Sequence, residues 1–488
     1  MNLPTQLFKR KSISACISDI ENPATRLKKV LGPWQIIALG IGAIIGAGIF
    51  ASIGTAAAGD ALRPGAGPGI ILSFLLTAAA CGFAALCYAE FAALVPISGS
   101  AYTYAYATMG ELVAWIIGWD LIIEYGVGNV AVAISWAGYF NQLLAGLGLQ
   151  IPVYLATDLR TALASPEILA QAPHIGSIPI VCNLPAALIV LLLTWILVTG
   201  IKESARFNVL MVLIKLFTLG LFVFAGFFYI RPENWHPFMP NGWAGVQAGA
   251  AVIFFAYIGF DAVSTVAEEC RNPAKDMPIG IIGSLVICTV IYVVVAAVLT
   301  GILPFSQLNV PDPLSLALHS IGRDRFAGLV AVGAIISMTA VLLVFQLGQP
   351  RIFFSMARDG LLPPWFAKVH PKHRTPHVAT ILTGLVVAMF AAFARIDEMV
   401  DLTNIGTLFA FILVCGGILV LRIREPHLHR PFRVPLFPWV PILGIFSCLY
   451  LMTGLPQITW VRFGIWLLVG LVFYAAYGLK KSRLTSKT

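Results

Sequence analysis

Charge is the scarce ingredient of this 488-residue chain: only 11% of its residues are Asp, Glu, Lys or Arg, where a soluble domain carries about 25%. That excludes a soluble globular fold. The polar gaps are no longer than roughly 30 residues, so no soluble domain fits between the apolar runs. Cysteine is present eight times but never as Cys-x-x-Cys. Cys81, Cys87, Cys288, Cys415 and Cys448 lie in apolar segments and read as small buried hydrophobes, not metal ligands or disulfide partners. The sequence has no His-Glu-x-x-His, no Gly-x-Ser-x-Gly and no cluster of metal ligands. An enzyme is therefore not expected, nor a cofactor or metal. Residues 1–33 are polar and basic, so no cleavable signal peptide is expected.

What the chain has instead is apolar length. It is 59% hydrophobic, with a mean hydropathy of +0.89. Runs of about 20 apolar residues recur throughout, the signature of spanning helices. Twelve are expected, at 34–58, 69–95, 110–147, 178–200, 205–230, 244–269, 278–303, 325–357, 376–394, 399–423, 438–456 and 461–479. The third and eighth are long enough to be strongly tilted. With the N-terminus placed in the cytoplasm, the inner segments hold 23 Lys and Arg and the outer loops hold 7, leaving Lys215 within a span. This asymmetry supports an even helix count and two cytoplasmic termini. It also explains the net charge of +9 without a nucleic-acid partner.

One stretch stands apart. Gly40 to Phe50, Gly-Ile-Gly-Ala-Ile-Ile-Gly-Ala-Gly-Ile-Phe, places Gly40, Gly42, Gly46 and Gly48 inside the first span. Glycine weakens a helix by about 1 kcal/mol relative to alanine. Such a cluster marks either a turn that can open and offer its backbone to a polar ligand or close packing through small residues. The sixth span repeats the pattern in Phe254-Phe255-Ala256-Tyr257-Ile258-Gly259-Phe260-Asp261. Five helices separate equivalent positions. Five is odd, so the second copy would be inverted in the membrane. Paired interruptions of this kind point to a transporter binding site.

These stretches carry a resemblance. Together with Tyr88-Ala89-Glu90, Pro96-Ile97-Ser98-Gly99-Ser100-Ala101-Tyr102, Gly118 to Tyr125, Tyr257 to Glu269 followed by Arg271-Asn272-Pro273, and Arg351 to Leu362, the chain resembles the amino acid–polyamine–organocation (APC) superfamily of permeases. It is most similar to the cationic amino acid transporter branch and its bacterial members, over about residues 30–480. The resemblance implies an all-α polytopic membrane protein of 12 transmembrane helices. It implies a LeuT-type five-plus-five inverted repeat, with helices 1 and 6 broken and two added C-terminal helices. The chain then divides into a tail at 1–33, a first repeat at 34–230, a second at 244–423, the last two helices at 438–479, and a tail at 480–488.

By that similarity, the N–H groups of Gly46, Ala47 and Gly48 would hold a substrate carboxylate. The Ile44 carbonyl would hold the ammonium, helped by the carbonyls of Phe255 and Ile258, with the Phe255 ring as a lid or as plain core. Some members carry serine at the position of Ala47, so recognition here would rest on the backbone. Met338, in Ser337-Met338-Thr339, would face the substrate side chain and favour small or neutral ones, or serve as core packing.

The intramembrane charges add to this list. Lys215 lies about ten residues into the fifth helix, ~15 Å from its start at 1.5 Å per residue. It is too deep to reach the interface with ease and should face the interior. In sodium-coupled proteins of this fold a cation sits between helices 1, 5 and 8. A lysine ammonium in its place suggests proton coupling, or else a fixed charge that stabilises helix 1. Asp120 and Glu124 are four residues apart on one helix face. Glu124 and Asp261 could hold a cationic side chain or relay a proton; Asp120 is expected to bind another helix. The reading is a secondary active transporter of L-amino acids in the plasma membrane, a proton symporter of small or neutral substrates. Its alternatives are an exchanger that includes cationic amino acids, or an amino-acid sensor built on a transporter fold. The expected partners are the amino acid, protons and the bilayer. A monomer is expected, and the sequence leaves a small membrane subunit open.

Overall fold

The computed structural model describes residues 9–10, 29, 31–95, 100–176, 178–200, 205–371, 373 and 375–482. Most of the expected N-terminal tail, Pro96 to Gly99 of the motif after the second helix, and 483–488 of the C-terminal tail lie outside the described residues.

The protein is all-α and polytopic. Eight helices are long and apolar enough to cross a membrane, and one bent pair makes a ninth candidate span. The pair is α1, Pro33–Ile44 and Gly48–Ala58, bent by 45° at its break. The eight are α2 (Gly67–Leu94), α3 (Glu111–Gly146), α5 (Ala205–Phe227), α6 (Gly242–Ala267), α7 (Pro273–Ile302), α8 (Asp324–Arg358), α10 (Ile396–Arg424) and α12 (Gln457–Lys481). Three further apolar helices are shorter: α4 (Leu184–Val198), α9 (His377–Phe393) and α11 (Trp439–Met452).

Most differences lie at helix ends. α4 begins at Leu184 rather than 178, because Ile178–Pro179 pairs with His174–Ile175 in a hairpin and Asn183 caps the helix by accepting the Ala186 N–H at 3.3 Å. Pro278, expected to open α7, sits inside a helix that starts at Pro273. A second hairpin, Gly59–Asp60 with Arg63–Pro64, joins α1 to α2. The end of the bundle that carries it is termed the hairpin face. The Ser100–Thr108 segment is a short helix with Tyr102, Tyr104 and Tyr106 all buried.

Two groups of helices emerge from the packing. α7 lies along α2 and the first half of α1, and α2 lies along α6. On the other side α8 lies along α3, and α4 along α9. α5 packs against both α8 and α1, and α10 runs between α2, α3 and α11. Outward positions are apolar, as at Leu188, Leu213, Phe217, Val290, Met389 and Leu468, all exposed. Inward positions include Glu90, Glu124, Lys215, Asp261 and Asn404, all buried. Apolar outside and polar inside is the distribution a bilayer selects.

Small residues set the closest approaches. A Cβ on Gly384 of α9 would lie 2.0 Å from the Thr194 hydroxyl of α4. That hydroxyl donates to the Val190 carbonyl at 2.7 Å and accepts from the Gln346 amide. Gly416, by contrast, has nothing within 4 Å. Gly384→Ala should therefore lower the melting temperature of the purified protein, with a cost of about 1–3 kcal/mol from overpacking. Gly416→Ala should leave it unchanged or raise it, and equal shifts for the two would refute the packing account.

Candidate functional site

The site is built where α1 comes apart. The first half ends at Ile44, and Ile45 leaves the helical region at φ −72, ψ 107. The second half resumes as a π-helical turn, Gly48–Ser52. π-turns inside helices recur at functional positions. The Ile49 and Phe50 N–H groups both return to the Gly46 carbonyl, at 3.2 and 3.3 Å. The N–H groups of Gly46, Ala47 and Gly48 therefore head a half-helix, where no preceding turn can accept them. This is the positive end of a helix dipole, suited to a carboxylate.

α6 loses its α-helical pattern at the matching place. It passes into a 3₁₀ turn at Phe254–Ala256, reaches φ +119 at Gly259, and continues as 3₁₀ helix from Asp261 to Glu269. The two interruptions touch. A Cβ on Gly48 would lie 2.2 Å from the Ala256 Cα, and one on Gly259 would lie 2.8 Å from the Ala43 carbonyl oxygen. Backbone meets backbone at both points, so glycine is required in each. Ile44, Ala47, Phe255 and Ile258 are all buried around this junction.

The carbonyl end of the first half-helix is answered by side chains. Lys215 of α5, fully buried, donates from Nζ to the Gly42 carbonyl and to the Ile45 carbonyl, the latter at 2.9 Å. Its ammonium thus sits at the negative end of a helix dipole. The Tyr292 hydroxyl of α7 lies 3.1 Å from the Ile44 carbonyl and 2.9 Å from that of Ala256, bridging the two interruptions. Sequence reasoning missed Tyr292; its signal was the single tyrosine of α7, set in an apolar run. The Ile44 carbonyl, expected to serve a substrate ammonium, already has this hydroxyl beside it.

Glu124 and Asp261 also come together. Glu124 lies in a second π-helical turn, Ile123–Val127 of α3, and its side chain lies near that of Asp261 in the buried interior. The Gly259 N–H donates to Asp261 Oδ1 at 3.3 Å, tying the acid to the interruption of α6. Asp120 rests against α10, where a Cβ on Gly406 would meet its Oδ1 at 2.9 Å, but neither of its oxygens has a hydrogen-bond partner. Met338 is buried in α8. The residue that meets Gly46 is Val341, 2.9 Å from the position of a Cβ there and one turn along from Met338.

A cavity of about 470 Å³ lies on the side of the hairpin face. Arg63, Asp397 and Asp158 lie around it, and Ser52 and Val252 line it. Ser52 is four residues past Gly48, and Val252 is three before Phe255. None of the described residues forms a group of three metal-ligating side chains.

This geometry, a helix pair interrupted deep in an apolar bundle, defines a permease-like membrane protein. The family model for amino acid permeases matches residues 31–474. The chain belongs to the amino acid permease family of the APC superfamily, and is a transporter rather than an enzyme. It is 48% identical over 479 residues to the branched-chain amino acid permease BcaP of Bacillus subtilis (strain 168), covering 98% of this chain and 99% of that one. It is 46% identical over 480 residues to the methylthioribose transporter of the same organism, covering 98% and 99%. It is also 35% identical over 426 residues to the vacuolar cationic amino acid transporter 4 of Arabidopsis thaliana, covering 86% and 68%.

Gly48→Leu should abolish binding of amino acids to the purified protein, because the side chain would have to displace the backbone of Ala256. Equilibrium binding of labelled substrate checks this, with helical content monitored by circular dichroism. Normal affinity in the variant would remove the junction from the binding site.

Proposed function

We propose that the chain is a secondary active transporter of L-amino acids, working by alternating access and driven by protons. It would act on small or medium neutral substrates. The observation that carries this reading is the meeting of the two interrupted helices, with the N–H groups of Gly46, Ala47 and Gly48 at one end and the Lys215 ammonium at the other. Nine long or paired candidate spans and three shorter apolar helices support a twelve-helix LeuT-type arrangement with 34–230 and 244–423 as inverted repeats. The lysine and arginine asymmetry of the sequence supports a plasma-membrane orientation with both tails cytoplasmic and the hairpin face outside.

Under this reading the α-carboxylate binds the N–H groups of 46–48, and Phe255 and Ile258 flank the substrate. Met338 and Val341 limit the side-chain space. Loss of the Lys215 proton would release the carbonyls of Gly42 and Ile45 and free the first half of α1 to move. A second reading, substrate exchange, is favoured by the same bonds: an ammonium held by two carbonyls is well placed as a fixed charge. The names of the relatives widen the substrates worth testing to branched-chain amino acids, arginine, lysine and methylthioribose.

The deciding experiment is uptake into proteoliposomes, with a pH gradient and empty vesicles, then at equal pH with substrate loaded inside. Accumulation driven by the gradient, lost in Lys215→Ala, is the expected outcome. Uptake only into preloaded vesicles, unaffected by Lys215→Ala, would establish exchange. If Met338 narrows the side-chain space, Met338→Ser should improve competition by arginine and lysine severalfold. An unchanged competition profile would move Met338 out of the substrate site.

A further inference from the structure

We propose that a groove at the face opposite the hairpin face, between the start of α7 and the α10–α11 connection, binds one anionic phospholipid. Its phosphate rests at the Lys275 ammonium and one acyl chain lies along α7. The proposal concerns what the bilayer supplies to the protein and does not depend on the transport reading.

The groove is made by small residues. It encloses about 470 Å³ between Ala274, Ile279, Ile282 and Gly283 of α7 and Pro431 and Phe432 of the connection. Alanine at 274 and glycine at 283 leave room that larger side chains would fill. α1 stands beside it. A Cβ on Gly283 would meet the Ile37 side chain at 3.3 Å, and one on Gly280 would lie 2.1 Å from Cγ2 of Ile36. The first half of α1 is thus seated on α7 through two glycines, next to the groove.

Below the groove α7 is apolar and open. Ile279, Val286 and Val290 are exposed, and they follow Lys275 by four, eleven and fifteen residues, on one helix face. Lys275 and Val286 are ~16 Å apart along the axis at 1.5 Å per residue, about half of a ~30 Å hydrocarbon core. That is the depth of one leaflet, so an acyl chain whose headgroup rests at Lys275 can follow the stripe to its end. Trp34, exposed at the start of α1, is of the type enriched where headgroups meet hydrocarbon.

The rim is basic. Lys275 lines the groove and is exposed. Arg271 lies four residues before it and Arg433 follows Phe432, both exposed. Backbone bonds carry Lys29 to the same edge: the Leu31 N–H donates to the Glu269 carbonyl at 3.0 Å, and the Arg271 N–H to the Leu31 carbonyl at 2.9 Å. None of these four cations forms an ion pair among the described residues. Of the acids beside them, Glu269 is half-buried, and Asp276 is buried and accepts the Asn272 N–H at 3.2 Å. Positive charge above an apolar groove complements a phosphate headgroup on a hydrocarbon chain. A free anion would leave the groove unfilled, and a choline headgroup would bring a cation to a cationic rim.

The test is native mass spectrometry of the full chain, purified in detergent, stripped of lipid, and titrated with phosphatidylglycerol or with phosphatidylcholine of the same chains. One phosphatidylglycerol bound severalfold more tightly than phosphatidylcholine is expected. Lys275→Glu should abolish the preference. Ala274→Trp, which fills the groove without changing its charge, should weaken phosphatidylglycerol binding severalfold. Arg231→Glu, a charge reversal at an exposed site after α5, should change neither. Phosphatidylglycerol should also raise the melting temperature of the wild-type protein and not that of Lys275→Glu. Should Lys275→Glu fold poorly, Lys275→Gln and Ala274→Trp carry the same readouts. Equal binding of the two lipids, or a preference that survives these substitutions, means an unselective lipid shell and overturns the proposal. Inorganic phosphate that displaces the phospholipid, or raises the melting temperature as much, would make this a free-anion site and overturns it too. These readouts stand even if the wild-type protein transports no amino acid, an outcome that would sink the transport reading alone.

Discussion

The backbone of α1 cannot be left open in an apolar interior without partners for what it exposes. An unsatisfied carbonyl or N–H in hydrocarbon costs several kcal/mol. The structure answers the two ends of the break differently. The carbonyl end is served by fixed side chains: Lys215 takes Gly42 and Ile45, and Tyr292 reaches Ile44 and Ala256. The N–H end at Gly46, Ala47 and Gly48 has no such side chain among the described residues. One end is thus satisfied by side chains of the protein, and the other is not. The placement of a lysine in the middle of α5 and a tyrosine in the middle of α7 follows from that single constraint.

Holding two interrupted helices in register demands close packing between them, which is why glycine recurs here. Gly48 against Ala256 and Gly259 against Ala43 bring backbone to backbone, where any side chain would force the interruptions apart. Polar contacts then close the bundle at its two faces. At the hairpin face Arg63 joins Asp60 and Asp401 at 2.8 and 2.6 Å, tying the α1–α2 connection to α10. At the opposite face Glu90 of α2 takes Arg422 of α10 and Arg430, and accepts the Val434 N–H at 2.7 Å. Both clusters link α10 to the α1, α2, α6, α7 group.

Much of this was legible in the sequence because a membrane constrains sequence strongly. Apolar length located the helices, and glycine in an apolar span located both interruptions. Lys215 has no apolar reason to be in α5, and its burial agrees with the inward placement that its depth implies. The helix ends were harder. The start of α4 depended on a hairpin between His174–Ile175 and Ile178–Pro179, and on the Asn183 cap, which are local hydrogen-bond choices that hydropathy does not register. Tyr292 escaped notice because one tyrosine in a spanning helix is unremarkable until its hydroxyl is seen between two carbonyls. Val341 escaped for a different reason: which residue of α8 meets Gly46 is decided by the rotation of the helix, and Met338 and Val341 lie one turn apart on nearly the same face.

The polar side chains of the interior act on one another through a dry medium. Lys215 is fully buried and donates to two carbonyls at the break, and Asp120, Glu124 and Asp261 are buried in the same bundle. An uncompensated charge in such a medium is costly, so the charged side chains and the backbone dipoles that face them have to be matched. A zwitterion adds no net charge to an interior of this kind, whereas an ion of either sign would enter only if the interior changed its own charge.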